Sequence, residues 1–172
     1  MRTRWGWALL MLWAVSLLTA LLVYGQRQLS LFDPDGNLLH LTTAAEFDTQ
    51  LVKVLNQASI KAGTIVHVGT SSRCYCESLT TPHQSELLNK LGTSYEMVRV
   101  NVEDVPELQK MIPAVPALII LDEHSHLRYL GPYATGYGCF TGKDLVDQIV
   151  GYTTQSPYNG AVINTDAEGC FC

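Results

Sequence analysis

From Trp5 to Val23 the chain reads WGWALLMLWAVSLLTALLV without a charge. About 19 apolar residues make a helix able to cross a hydrocarbon core of about 30 Å, so this run constrains the fold more than any other feature. Arg2 and Arg4 precede it and only Arg27 follows closely, which by positive-inside counting leaves residues 1–4 cytoplasmic and the span at 5–25. Trp5, Trp7 and Tyr24 stand where interfacial aromatics belong. A cleaved signal peptide is the competing reading. Its apolar region is usually about 7–15 residues and ends at a small-residue site. The sequence ending at Gly25 is a poor site of that kind, and no cysteine follows it for lipid attachment. Length and flanks therefore favour an uncleaved single-pass anchor, with residues from 26 onward exported.

The whole chain has 172 residues, which leaves the exported part the size of one ordinary domain. Charged residues are only 16%, the net charge is −5 and no Lys or Arg run occurs, so the basic surface that nucleic acid requires is missing. Five cysteines, Cys74, Cys76, Cys139, Cys170 and Cys172, all fall in the exported part. That number is odd, so at least one thiol is free, pairs between chains or does chemistry.

Residues 26–42 read as a linker with a short strand or hairpin around the Asp33-Pro34-Asp35-Gly36 turn. A helix follows, with a capping box at Thr43 and Glu46 and an apolar stripe of Phe47, Leu51, Val54 and Leu55. Ile65 to Val68 is a buried strand, and PHQSELLNKLG a helix closed by Gly92. YEMVRVNV is the next strand and DVPELQKM a short helix with Pro106 near its first turn. PALIILD and HLRYLG are two strands joined by a turn at Asp122 to Ser125, and TGKDLVDQIVGY is the last helix. Residues 152–172 read as a cysteine-containing tail. Strands alternating with helices predict an α/β fold, a partly parallel mixed sheet flanked by helices, with the late β-β-α making part of it antiparallel.

The chemistry concentrates in RCYCESLTTPH, residues 73–83. A buried strand leads into Cys74, and Pro82 lies eight residues beyond it. Further on, AVPALIIL places Pro116 ahead of a strand, preceded by Val115. On these residues the chain resembles the thioredoxin-like superfamily over 43–151. More narrowly, CYCESLTTPH, PAVPA, LRYLGPY and GAVINTDAEGCFC are similar to a group of bacterial membrane-anchored thioredoxin-like proteins with a Cys-X-Cys motif. The resemblance implies that Cys74 is a nucleophile and that Pro116 is cis, shaping with Val115 a groove for an extended substrate. It also implies an inner-membrane protein whose C-terminal domain lies in the periplasm. No cofactor comes with it, and the expected partners are protein thiols or disulfides, with the membrane engaged through the N-terminal helix. One departure stands out: the second cysteine arrives one residue early, at Cys76, and Glu77 takes the place of the family's second cysteine. The family's buried acid in the preceding strand is matched only loosely, by His67.

A thiolate at a helix start is favoured by the helix dipole and by Arg73, and opposed by Glu77. Residues two apart on a helix point about 200° apart, so a Cys74–Cys76 bridge needs a distorted or later helix start and would be easily reduced. The resolving thiol is therefore Cys76 itself or a cysteine of the tail, which folds back so that Cys170 or Cys172 reaches Cys74. Permanent bridges that merely staple the tail are the plainer alternative, and Cys139 fits a structural role better than a catalytic one. The two Cys-X-Cys pairs with His83 also form a candidate soft-metal set (Cys74, Cys76, Cys170, Cys172, His83) for copper or zinc, although zinc sites usually space paired cysteines by two to four residues. His83 is otherwise a helix-surface or packing residue, His67 a satisfied core histidine, and His124 and His126 solvated turn residues.

Overall fold

The computed structural model describes residues 2–27, 29–72, 74–136 and 143–172. Helix α1 (Arg2–Arg27) carries apolar side chains on every side, and its stretch Arg4–Gly25 is long and apolar enough to cross a membrane. Only residues 28 and 29 separate it from β1 (Ser30–Leu31).

Of the expected short strand or hairpin, the short strand forms as β1 and no hairpin follows it. Gly36 takes the left-handed conformation (φ 67°), its amide donates to Asp33 O at 3.2 Å, and Asp33 Oδ2 accepts from Leu39 N at 2.8 Å. The aspartate thus satisfies an amide of a new helix, α2 (Asn37–Thr42), in place of a returning strand. Phe32 and Leu38, on either side of the turn, are fully buried in the core. The capping box at Thr43 does not form: its Oγ1 donates to His40 O at 2.7 Å, closing α2, and α3 (Phe47–Gln57) starts after Glu46 without a side-chain cap.

The remaining elements are β2 (Thr64–Gly69), α4 (Tyr75–Ser78), α5 (Thr81–Leu91), β3 (Glu96–Asn101), α6 (Pro106–Gln109), β4 (Ala117–Leu121), β5 (Leu127–Gly131), α7 (Val146–Thr154), β6 (Val162–Ile163) and β7 (Glu168–Gly169). The main sheet runs β3-β2-β4-β5-β6. β2 pairs with β3 and β5 with β6 in parallel, whereas β2–β4 and β4–β5 are antiparallel, the last of these being the hairpin that the β-β-α pattern predicts. The residues of 152–172 do more than trail: β6 extends the main sheet, and β7 pairs antiparallel with β1.

β2 and β4 are buried along their whole length, which is why their sequences are nearly unbroken runs of apolar residues. The period of two divides them between two layers. Val66, Val68, Ala117 and Ile119 face α3, α6 and Phe32 on one side. Ile65, Leu118 and Ile120 face Leu87 of α5 and Val146 and Ile149 of α7 on the other. His67 points into this second layer, and that position determines what surrounds the cysteines.

Candidate functional site

β2 ends at Gly69 and the chain turns through Thr70 to reach Cys74, the N-cap of α4, with extended backbone (φ −64°, ψ 156°). Cys74 O accepts the Glu77 amide at 3.1 Å, which fixes the first turn. Cys76 lies inside that turn and Cys74 just before it, and the two do not bond to each other although their sulfurs lie within 4.8 Å. Each bonds instead to the tail: Cys74 to Cys172 (Cα–Cα 6.5 Å) and Cys76 to Cys170 (Cα–Cα 5.3 Å).

The spacing of the tail pair explains why both bonds form together. In an extended segment, residues two apart share a face. Cys170 and Cys172 therefore present both sulfurs to α4, while Phe171 turns the other way and meets Phe32 edge-on at 5.3 Å. The Sγ atoms of Cys74, Cys76 and Cys172 all lie within 4.8 Å of one another. Cys172 is exposed, and the other three bridged cysteines are half-buried.

The Val115–Pro116 peptide bond is cis. Cys172 N donates to Val115 O at 2.7 Å and Val115 N donates to Cys172 O at 3.4 Å, so the tail is held beside Pro116 by backbone as well as by sulfur.

Beneath Cys74 is a buried polar network. Glu77 turns inward, and its Oε1 accepts from Arg99 Nη1 and lies 3.1 Å from His67 Nε2. Arg99 reaches it because β2 and β3 pair with His67 opposite Arg99, and its other Nη donates to Thr70 O at 2.8 Å. Burial first, and the Arg99 charge second, push the His67 pKa down to about 4, so the imidazole is neutral at pH 7. A neutral ring has one N–H. With Nε2–H directed at the carboxylate, Nδ1 accepts from Tyr133 OH at 3.0 Å and from Gln84 Nε2 at 3.2 Å. Tyr133 is fully buried, which raises its pKa and keeps the phenol protonated as that donor. Glu77, expected to oppose a thiolate at Cys74, thus has its charge matched by Arg99.

A small hollow on the other side of the bridges is lined by Cys76, His83, Pro116, Tyr133, Cys170 and Phe171. His83 is buried rather than on a helix surface, and its Nδ1 lies 3.4 Å from Asp144 Oδ1. It borders the inner bridge without joining the three-sulfur group. The structure brings together Cys74, Cys76, Glu77, Val115, Pro116, Cys170 and Cys172 from three separate segments. Arg73 and Cys139 lie outside the described residues. Arg99, Gln84, Tyr133 and Phe171 escaped the sequence reading. Only the aromatic shared by CYC and CFC hinted at Phe171, and nothing local marks the other three.

Among the described residues, two groups have metal-ligand proximity. If reduced, Cys74, Cys76 and Cys172 offer three converging soft donors. Asp122, His124 and His126 also converge, but the Asp122 carboxylate is engaged by the His124 and His126 amides at 2.9 and 2.8 Å and has Arg128 Nε at 3.6 Å. His126 also departs from a simply solvated residue, stacking on Tyr158 at 4.5 Å.

No curated protein and no solved structure matches the chain. A family model does match, over residues 43–172, from the first turn after α2 through both tail cysteines. The chain belongs to the family described as domain of unknown function DUF6436.

Proposed function

We propose that the chain is a membrane-anchored thiol–disulfide oxidoreductase of thioredoxin-like architecture, its residues 43–151 forming the exchange domain and 152–172 a tail that supplies the resolving thiols. The observation that carries this reading is the clustering of the Cys74, Cys76 and Cys172 sulfurs within 4.8 Å, at a helix start and beside a cis-proline. Exchange requires a thiolate near a bridge it can attack, and here one bridge stands beside the other. A partner thiolate attacks Cys74 Sγ and Cys172 leaves as thiolate. The partner's second thiolate then displaces Cys74, so two electrons enter, the partner becomes a disulfide, and protons restore both thiols. Cys172 thiolate can next attack Cys76, forming Cys76–Cys172 and releasing Cys170, which passes the change to the inner bridge. The anchor and the paired cysteines suit a bacterial periplasm, where bridges persist. Arg73, one residue before Cys74, is assigned the tuning role given it by the sequence, and Cys139 a structural one.

The test is exchange between the full chain, reduced in detergent micelles, and a peptide disulfide, with Cys74→Ser beside it. Turnover that vanishes in the variant, with a mixed disulfide trapped on Cys74, supports the reading. Turnover that persists in Cys74→Ser sinks it. The same three sulfurs favour one second reading, a soft-metal site for Cu(I) or Zn²⁺ in the reduced state. Stoichiometric metal that shields Cys74, Cys76 and Cys172 from alkylation would favour it instead.

A further inference from the structure

Val115 has one backbone N–H and one carbonyl, and Cys172 uses both. The end of the tail therefore lies along this edge, paired to Val115 by two reciprocal backbone hydrogen bonds, its cysteine bonded to Cys74 and the preceding aromatic seated against Phe32. Gly169 lets the aromatic fold back: a Cβ there would meet Phe171 Cζ at 2.9 Å. An extended segment whose cysteine sulfur, backbone and preceding side chain are each received by a different part of the domain is what a bound peptide in mixed disulfide with Cys74 would look like.

We propose that residues 170–172 are a tethered occupant of a peptide-binding edge, and that the polypeptide substrates of the exchange centre take the same edge, as extended segments with a large aromatic immediately before the reacting cysteine. This inference rests on the exchange-centre reading above. Because Val115 cannot pair with two segments at once, an outside peptide enters only when the tail leaves. Two bridges hold the tail. Each opens by taking two electrons from a dithiol, which becomes a disulfide while two protons end on the freed cysteines. Full release thus consumes two dithiols, and opening only the Cys74–Cys172 bridge frees Cys74 while Cys76–Cys170 still covers the edge.

The test uses the full chain in detergent micelles, with Cys139→Ser so that Cys74 is the one free thiol. In Cys172→Ser the inner bridge keeps the tail in place. In Cys76→Ser/Cys170→Ser/Cys172→Ser nothing holds it. A chain lacking residues 170–172, with Cys76→Ser, removes it by a second route. Each reacts with iodoacetamide and with the thiopyridyl disulfides of Gly-Gly-Phe-Cys and Gly-Gly-Ala-Cys. Iodoacetamide should alkylate Cys74 at similar rates in all three, which also controls for folding around the thiol. The Phe-Cys peptide should react about tenfold faster in both unstapled chains than in Cys172→Ser, a difference of ~1.4 kcal/mol, and faster than the Ala-Cys peptide. Equal peptide rates with and without the staple, or no preference for Phe over Ala, would overturn the inference and leave the exchange centre standing. A Cys74 inert to every reagent in every chain would overturn the exchange centre itself, and the inference with it.

Discussion

The carboxylate of Glu77 rests against the α-carbon of Gly69, so closely that a methyl group there would meet Oε1 at 2.5 Å and Cδ at 2.8 Å. The last residue of β2 must be bare for a buried carboxylate to reach both His67 and Arg99. Gly69→Ala should push Glu77 off these partners and leave a buried charge poorly paired, a loss of about 3 kcal/mol. Denaturant unfolding checks this. The double variant Gly69→Ala/Glu77→Ala should be no less stable than Glu77→Ala alone, because the clash and the charge disappear together.

The two bridges should contribute very unequally according to the order in which they are removed. Their sequence separations, 98 and 94, describe nearly the same loop. Once either is closed, the other adds only a ring of a few residues. Chain-entropy arithmetic gives ~2 kcal/mol for such a ring and ~5 kcal/mol for a loop of about a hundred residues. Replacing either pair by serine (Cys74/Cys172 or Cys76/Cys170) should therefore cost ~2 kcal/mol, and replacing both ~7 kcal/mol. Urea midpoints of the three variants would show it. Additive losses would mean that the unfolded chain does not behave as one large loop.

What the sequence made legible was local. The apolar runs of β2 and β4, the Gly92 stop of α5 and the Pro106 start of α6 follow from residues within a few positions of one another, and each stands where its pattern predicts. The tail cysteines were likewise readable as candidate partners, although Cys74 stands before the helix in extended conformation and its sulfur lies near that of Cys76 rather than diverging from it. The pairing itself, 74 with 172 and 76 with 170, depends on the tail entering antiparallel, which is fixed by Val115 and by β1–β7 pairing, far away in sequence. Arg99 joined the site through a register, His67 opposite Arg99, that no window around either residue contains. The Asp33 turn misled because Asp-Pro-Asp-Gly serves a helix start as well as a hairpin, and the Asp33–Leu39 hydrogen bond decides between them.

Phe171 should govern how firmly the clip stays oxidised. It is half-buried and packs on the fully buried Phe32. Phe171→Ala removes that contact and part of the tail's burial, about 2 kcal/mol. Reduction frees the tail, so this loss falls mainly on the oxidised form. The bridges should become more easily reduced, by up to ~40 mV for a two-electron couple. Equilibration against a series of dithiol buffers, read by alkylation, measures the shift. An unchanged potential would mean that the aromatic contact survives reduction.

The buried histidine should make stability depend on pH in one window. His67 titrates at about 4 in the folded protein against 6.5 when unperturbed, because burial and Arg99 disfavour its charged form. Between these values the unfolded chain binds a proton that the folded chain refuses. Stability from this group is therefore complete above pH 6.5 and falls as the pH drops towards 4, by up to roughly 3 kcal/mol. Carboxylates such as Asp122, whose pKa is held down by the His126 and His124 amides despite its burial, lose their share at lower pH. His67→Gln keeps a donor for Glu77 but cannot take up the proton, so its melting temperature should change little between pH 6.5 and 4.5 while that of the parent falls. Parallel slopes for the two chains would show that His67 is not the group that titrates there.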